Sequence, residues 1–269
     1  MTDREALKKA EARLSAVTDE ARNEAELLLC HITGRSSVEI RLDPKELEPD
    51  GLAALDRAVE RRLSREPLQY ILGEWYFMGL PFFVSPAALI PRQDTETLCE
   101  EALRLINERG YKSLLDICTG TGCIAVSLSK LSGIWAEASD ISSECASLAE
   151  RNAKRNGVRI FARTADLFNG AGKYDIVTAN PPYISAADMA ILQEEVRHEP
   201  RLALAGGADG LDVYRRIAEE APAHINKGGV LIMEVGSGEA EAVAGMFPGR
   251  SIAIIKDLNG IDRIVRIDF

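Results

Sequence analysis

Groups that bind metals or form disulfides are scarce in this chain. Its 269 residues include three histidines, His31, His198 and His224, too scattered to form a ligand cluster and read as structural or solvated. The five cysteines (Cys30, Cys99, Cys118, Cys123 and Cys145) are an odd number with no CxxC pair. That pattern argues against a zinc site or a disulfide framework and for a reducing, cytoplasmic setting. Positive charge is also short: 32 Lys and Arg against 42 Asp and Glu leave a net charge of −10. Broad nucleic-acid footprints need clustered Lys and Arg, so no direct nucleic-acid partner is expected, whereas a basic protein partner is compatible with this balance. No apolar run approaches the length that spans a bilayer, and the charged start Met1–Glu5 holds no apolar signal core. No membrane partner is expected, and neither repeats nor low-complexity tracts occur.

What is present is ample apolar content, 46%, in a chain long enough for one large or two modest domains. Residues 1 to about 72 read as helices alone. Thr2-x-x-Glu5 and Ser36-x-x-Glu39 fit capping boxes, and Asp43-Pro44-x-Glu46 fits an N-cap followed by proline at the first helical position. Apolar stripes at Leu7, Ala10, Leu14 and Val17, at Ala21, Ala25, Leu28 and Ile32, and at Leu52, Leu55, Val59 and Leu63 predict a compact bundle core. The charges Arg57, Glu60, Arg61, Arg62 and Arg65 read as a solvated helix face, with a partner surface as the alternative. Residues 73–90, rich in aromatics around Gly79, predict a hairpin or linker whose rings pack between domains. From about 91 to 269, helices alternate with strands near 113–117, 134–139, 158–163, 174–179, 229–235, 250–256 and 262–268. Such alternation predicts an α/β domain with a mainly parallel sheet, and the briefly joined last two strands predict an antiparallel hairpin.

Two loops carry the chemistry. Cys118-Thr119-Gly120-Thr121-Gly122 lies between a strand and the helix start at Cys123, where Gly120 and Gly122 permit close backbone approach to a ligand. Asp140 ends the next strand, placed to bind ribose hydroxyls. By themselves these glycines fit NAD and S-adenosylmethionine equally well. Asp116, four residues before Gly120, tilts the reading toward S-adenosylmethionine, whose amino-acid portion it could hold. The second loop is Asn180-Pro181-Pro182-Tyr183, directly after the strand 174–179. Two prolines there stiffen the chain at the carboxyl end of a strand, where open α/β sheets bind ligands. The Asn180 oxygen and the Pro181 carbonyl are two acceptors suited to a planar amino group, and Tyr183 can cover its face. A mere turn would lose sheet pairing at this point for no structural return.

Together these motifs resemble the Rossmann-like methyltransferases that modify amino or amide nitrogens. Three further segments resemble the bacterial release-factor glutamine methyltransferases: Pro67–Glu74 with Phe77, Ile90–Glu96, and Glu199–Leu204 with Gly207 and Gly210. The likeness extends to Asp257–Arg263 and covers nearly the whole chain. It implies a seven-stranded methyltransferase sheet preceded by a small helical domain that docks substrate. It implies S-adenosyl-L-methionine as methyl donor, S-adenosyl-L-homocysteine as product, no metal, and methylation of the Gln in the Gly-Gly-Gln loop of peptide chain release factors. A nucleic-acid adenine methyltransferase or a ribosomal-protein glutamine methyltransferase is the alternative, and a monomer is expected. Expected cofactor contacts are Asp116, Cys118, Thr119, Gly120, Thr121, Gly122, Asp140, Asp166, Leu167 and Asn180. Asn180, Pro181 and Tyr183 are expected to act on the substrate amide, with Pro182 beside them. Asp166 reads equally as an adenine contact or a helix cap. Glu199 and Arg201 read as loop anchors or as groups that close over substrate, and Arg92 and Thr95 as neighbours of the cleft. Departures from the family pattern are Cys118 in place of a common Gly, Gln93 in place of Pro, Leu167 in place of an aromatic, and no Gln in the stretch after Glu234.

Overall fold

Both expected capping boxes open helices. In the computed structural model, which describes residues 1–269, Thr2 Oγ1 accepts from Glu5 N at 3.3 Å and Glu5 Oε2 accepts from Thr2 N at 2.9 Å. They start α1 (Asp3–Leu14); α2 (Ala21–Thr33) stops at left-handed Gly34, and Ser36 with Glu39 caps α3 (Ser37–Leu42). The helix expected at Pro44 does not form. Proline disfavours helical backbone in the residue before it, and Asp43 leaves the helix at φ −134°, ψ 75°. The next residues pair with the start of the chain instead, through Asp3 N to Lys45 O at 2.8 Å and Leu47 N to Met1 O at 3.1 Å. The proline that does open a helix is Pro49, first residue of α4 (Pro49–Leu63), and α5 (Leu68–Leu72) follows. Leu7, Leu14, Leu28, Leu55 and Val59 enter the core predicted from their spacing, joined by Leu29 and Ile40.

Arg62 corrects the reading of a solvated charged face. It is 5% exposed, with Nε 2.7 Å from Glu24 Oε2 and Nη1 3.1 Å from Glu195 Oε1. Arg65 Nη1 donates to the same Glu195 oxygen at 3.0 Å. A buried guanidinium needs such partners, because an isolated buried charge costs several kcal/mol. By contacts, Gln193–His198 therefore groups with Met1–Gly73, while Glu74–Leu192 and Glu199–Phe269 form the second unit.

The second unit begins with the antiparallel hairpin β1 (Glu74–Phe77) and β2 (Leu80–Phe83). Phe77 and Phe82 meet edge to face at 6.2 Å and are buried in this unit's own core. In chain order follow α6 (Glu96–Arg109), β3 (Ser113–Ile117), α7 (Cys123–Ser132), β4 (Trp135–Asp140), α8 (Ser143–Arg155), β5 (Ile160–Thr164) and β6 (Tyr174–Ala179). Then come α9 (Arg201–Leu204), α10 (Asp212–His224), β7 (Ile225–Glu234), α11 (Ala240–Ala244), β8 (Ser251–Lys256) and β9 (Asp262–Asp268). Seven strands form one sheet in the order β5-β4-β3-β6-β7-β9-β8. The first five strands in this order pair in parallel, and β9 runs antiparallel to both neighbours, as the alternation and the short last connection predict. β7 starts four residues before Gly229, at Ile225, where the register shifts against β6. A Cβ at Gly229 would stand 2.7 Å from the Asp175 carbonyl, so a glycine is needed inside that strand.

Strand order reverses between β3 and β6, and a crevice opens at the carboxyl ends of such neighbours. Side chains alternate across the sheet. Leu114, Ile176, Val230 and Ile232 enter the core on one face, and Leu115, Ile117, Val177, Leu231 and Met233 enter the core on the other. Asp116 shares the first face and stands opposite Thr178 in the register. It is fully buried and accepts from Thr119 Oγ1 at 2.6 Å and Thr178 Oγ1 at 2.8 Å. Burial pushes its carboxyl up from 3.8 to about 7, against the hydrogen bonds from Thr119, Thr178 and the Ala125 N–H.

The raised value makes Asp116 hold its proton more tightly in the folded protein than in the unfolded chain. The stability this contributes is present below about pH 4 and is lost as pH rises through about 7. Asp116→Asn carries no such proton. Its stability relative to wild type should rise between about pH 5 and about pH 8, measured by urea titration. A difference that stayed level across that range would remove charge desolvation as the cause.

Gly122 gives a second prediction. Its φ is +78°, and a Cβ there would lie 2.7 Å from the Ala149 Cβ. Gly133, at φ +74°, has nothing within 4 Å of that position. Gly122→Ala should cost about 2–4 kcal/mol, adding overpacking to backbone strain, and Gly133→Ala only about 1–2 kcal/mol. Equal losses in denaturant titrations would show that helix packing is not what requires Gly122.

Candidate active site

A cavity of about 350 Å³ lies at the carboxyl ends of β3, β4, β5 and β6. Cys118, Thr119, Gly120 and Thr121 line it from the loop after β3, Asp140 and Ser142 from the end of β4, and Asp166 and Leu167 from the loop after β5. Asn180 and Pro182 line it from the loop after β6. Pro86–Arg92, Thr95, Ile141, Leu202, Ala203 and Arg216 also line it.

The loop after β3 is shaped by its backbone. Cys118 adopts φ +57° and Gly120 φ +55°. A non-glycine residue in this left-handed region costs roughly 1 kcal/mol or more, a cost this chain accepts at Cys118. Burial pushes the Cys118 thiol up, so it is an inert wall group and not a thiolate. Asp140 stabilises the loop directly: Oδ2 accepts from Gly120 N at 2.9 Å and Oδ1 from Ser142 N at 2.9 Å. Burial raises the Asp140 carboxyl, and these two N–H groups oppose the rise.

Four expected contacts do not line this wall. Asp116 does not line the cavity; its oxygens are engaged by Thr119 and Thr178, so it anchors the loop where a ligand contact was expected. Gly122 serves the start of α7 and its approach to α8. Pro181 is buried and Tyr183 half-buried, and neither lines the cavity. The Tyr183 ring packs on the core of the α10 face, with its Cδ2 3.1 Å from where a Gly236 Cβ would be. Burial pushes its hydroxyl up to about 12.

Charged residues around the cavity take single, definite roles. No helix follows Asp166; its carboxylate meets Arg216 Nη2 at 2.9 Å on the cavity rim, which removes the helix-cap reading. Glu199 is a loop anchor: it is 5% exposed, accepts from Ile90 N at 3.0 Å and pairs with Arg92. That pair ties the wall segment Pro86–Arg92 to the start of α9. Arg201 is exposed and lies outside the cavity wall.

Asn180 is held from one side, with Nδ2 donating to Thr95 Oγ1 at 3.2 Å. Beside them lies Glu234 at the end of β7, 2% exposed and not foreseen as part of the site. The available signal was an acid closing the apolar run Val230–Met233, where a fully buried strand should end without charge. The wall segment Pro86–Leu89 was also missed, because its small apolar residues carry no chemical signature.

Residues 5–73 match the PrmC N-terminal domain family, and residues 100–208 match the methyltransferase small domain family. The chain is 46% identical over 255 residues to the release factor glutamine methyltransferase of Geobacter sulfurreducens, covering 92% of this chain and 89% of that protein. It is 40% identical over 271 residues to the same-named protein of Cereibacter sphaeroides, covering 97% and 96%. Among solved structures, a methyltransferase from Pyrococcus furiosus shares the fold with TM-score 0.54 and 18% identity, covering 82% of this chain and 98% of that one. With relatives of this identity aligned over nearly their whole length, this chain belongs to the release factor glutamine methyltransferase family.

Proposed function

We propose that this chain transfers a methyl group from S-adenosylmethionine to the side-chain amide nitrogen of the glutamine in the Gly-Gly-Gln loop of a peptide chain release factor. The observation that carries the reading is the Asn180 side chain. It lines the cavity at the carboxyl end of β6, beside the glycine loop of β3, and is fixed by Thr95. The donor set fits a nucleoside sulfonium. Asp140 offers an acceptor for ribose hydroxyls, Gly120 lets backbone come close, and Leu167 with Ile141 supplies an apolar wall for adenine. Asp166 stands at the rim for polar contact with the base.

S-adenosylmethionine, when bound, supplies an electrophilic methyl on a cationic sulfur. The protein's task is to aim a poor nucleophile, because the amide lone pair is delocalised into its carbonyl. The Asn180 oxygen and the Pro181 carbonyl accept the two amide hydrogens, which fixes the nitrogen and favours charge building on it. Orientation of this kind supplies about 7–11 kcal/mol in the best cases. The Tyr183 ring, half-buried outside the donor cavity, is assigned to the side of the amide away from the donor, where it would stabilise the developing charge by about 0.5–2 kcal/mol. The methylated amide loses its extra proton readily to solvent, so the chemistry calls for neither a strong base nor a metal. The helical unit carries no cluster of catalytic groups and is read as the docking body for the release factor. The net charge of −10 speaks against a polyanionic substrate. A monomeric, cytoplasmic enzyme that meets its partner among the translation factors completes the reading.

The test is incubation with methyl-labelled donor and purified release factor, followed by mass mapping. Label on the glutamine nitrogen of the Gly-Gly-Gln loop is expected; label elsewhere, or none, overturns the reading. Asn180→Ala should nearly abolish this transfer, with donor affinity by calorimetry only modestly weakened. Tyr183→Phe should be mild and Tyr183→Ala severe, since stacking needs the ring and not the hydroxyl. Asp140→Ala should weaken donor binding about 10- to 150-fold, the worth of one charge-assisted hydrogen bond. A folded Asp140→Ala protein with wild-type donor affinity would reject that contact.

A further inference from the structure

The buried carboxyl of Glu234 has no part in the chemistry above. It is 2% exposed, and its Oε2 has no hydrogen-bond partner. Ala179 pairs with Met233 across β6 and β7, so the next residues, Asn180 and Glu234, fall side by side on one face of the sheet. Thr95, 2% exposed, lies over them from the turn before α6 and accepts from Asn180 Nδ2 at 3.2 Å. Thr95 and Asn180 both stand near the Glu234 carboxyl and favour its charged form, against burial. We infer that Glu234 is a positioning residue that acts through Thr95 to keep the Asn180 carboxamide oxygen turned toward the reacting amide; the inference rests on the function proposed above.

Hydrogen positions decide which way Asn180 turns. A threonine hydroxyl has one proton to donate and lone pairs to accept. A carboxylate only accepts, so ionised Glu234 draws the Thr95 proton to itself. The Thr95 lone pairs then face Asn180, which must answer with its NH2 group. The Asn180 oxygen is left facing the cavity, where it can accept from the substrate NH2. Protonated Glu234 is itself a donor and releases the Thr95 proton toward Asn180. The carboxamide then gains by turning over, and two NH2 groups confront each other in the cavity. Asparagine orientation is decided by such networks and not by shape, because its oxygen and nitrogen are nearly equal in size.

The groups that set the charge of Glu234 come from every side. Arg263 on β9 favours the carboxylate, and Asp94 in the turn before α6 opposes it. Tyr183, Tyr214 on α10, Cys99 on α6 and Cys123 on α7 also face it and are neutral at pH 7. Burial dominates and pushes Glu234 up from 4.5 to about 7, so its charge changes within the working range.

The experiment uses the full-length enzyme with intact release factor, saturating in both substrates, across about pH 5.5 to 9. In wild type, kcat should fall up to tenfold per pH unit below about 7. In Glu234→Gln that acid limb should vanish, leaving a flat and lower kcat, because Gln accepts from Thr95 without titrating. Thr95→Val should lower kcat at least tenfold at every pH under saturating donor, and Thr95→Ser should restore it. The side-chain amide resonance of Asn180, followed by NMR in the donor-free protein, should titrate near pH 7 in wild type and not in Glu234→Gln. Asp116 titrates in the same range, so donor affinity is measured at each pH and its limb separated from that of kcat. Wild type that leaves the glutamine unmethylated would defeat the proposed function. Methylation by wild type, with an acid limb surviving in Glu234→Gln or with Thr95→Val within twofold of wild-type kcat, would defeat this inference alone. Should Glu234→Gln fail to fold, the Thr95→Val and Thr95→Ser pair decides it.

Discussion

The two-residue period of three neighbouring strands governs this site. Asp116 and Thr178 face each other across β3 and β6, and Asn180 and Glu234 continue the same face onto β7. Deeper positions on that face are Leu114, Ile176, Val230 and Ile232, all buried in one core. Polarity therefore begins abruptly at the carboxyl ends, one pleat beyond the apolar layer. A register slip of one residue between β6 and β7 would turn one of the two, Asn180 or Glu234, to the opposite face. The parallel pairing that builds the sheet is thus also what aims the residue assigned to the amide.

Placing two carboxyls behind the cavity wall is costly, and the structure offsets the cost in two ways. Asp116 is surrounded by hydroxyls and an N–H, so its oxygens are satisfied in either protonation state. Glu234 is less well served, with one oxygen unpartnered and Arg263 shared with Asp257 and Asp94. Residues that give up stability in this manner concentrate where orientation matters more than strength. Asp116 shapes the loop after β3, and Glu234 sits against Asn180, so the two strained acids border the two halves of one reaction site.

How much of this was legible depended on whether the signal was local. Asn180–Tyr183 could be read because two prolines after an apolar run state their own geometry. The mainly parallel sheet was legible from alternation, and the antiparallel last pair from the short connection between β8 and β9; the strand order was not, because it depends on pairing across the whole sheet. Asp116 was seen but given a ligand, because sequence spacing cannot tell a carboxylate at a cavity wall from one a layer behind it. Pro44 mimicked a helix start, whereas the backbone found partners in residues 1–3, more than 40 positions away. Arg62 looked solvated for a similar reason: its partners Glu24 and Glu195 lie 38 and 133 residues distant. Glu234 lacked any motif and became meaningful only beside Thr95 and Asn180.

Rigidity on the other side of Asn180 has a separate origin, in glycine. A Cβ at Gly206 would lie 2.8 Å from the Tyr183 Cα, and one at Gly210 would lie 2.5 Å from its carbonyl oxygen. Ile184 also exchanges backbone hydrogen bonds with the α9 end, through Leu204 O and Gly206 N, both at 2.9 Å. The chain after Pro182 is therefore clamped largely by backbone on backbone, with the Glu239 carboxylate beside Gly210. This division suits the proposed chemistry. An acceptor that must present oxygen and not nitrogen needs a hydrogen-bond network, since shape cannot distinguish the two. A ring that covers a planar amide needs only a fixed seat, which close-packed glycine backbone supplies. Asn180 and Tyr183 are three residues apart, yet one is set by protons and the other by contact.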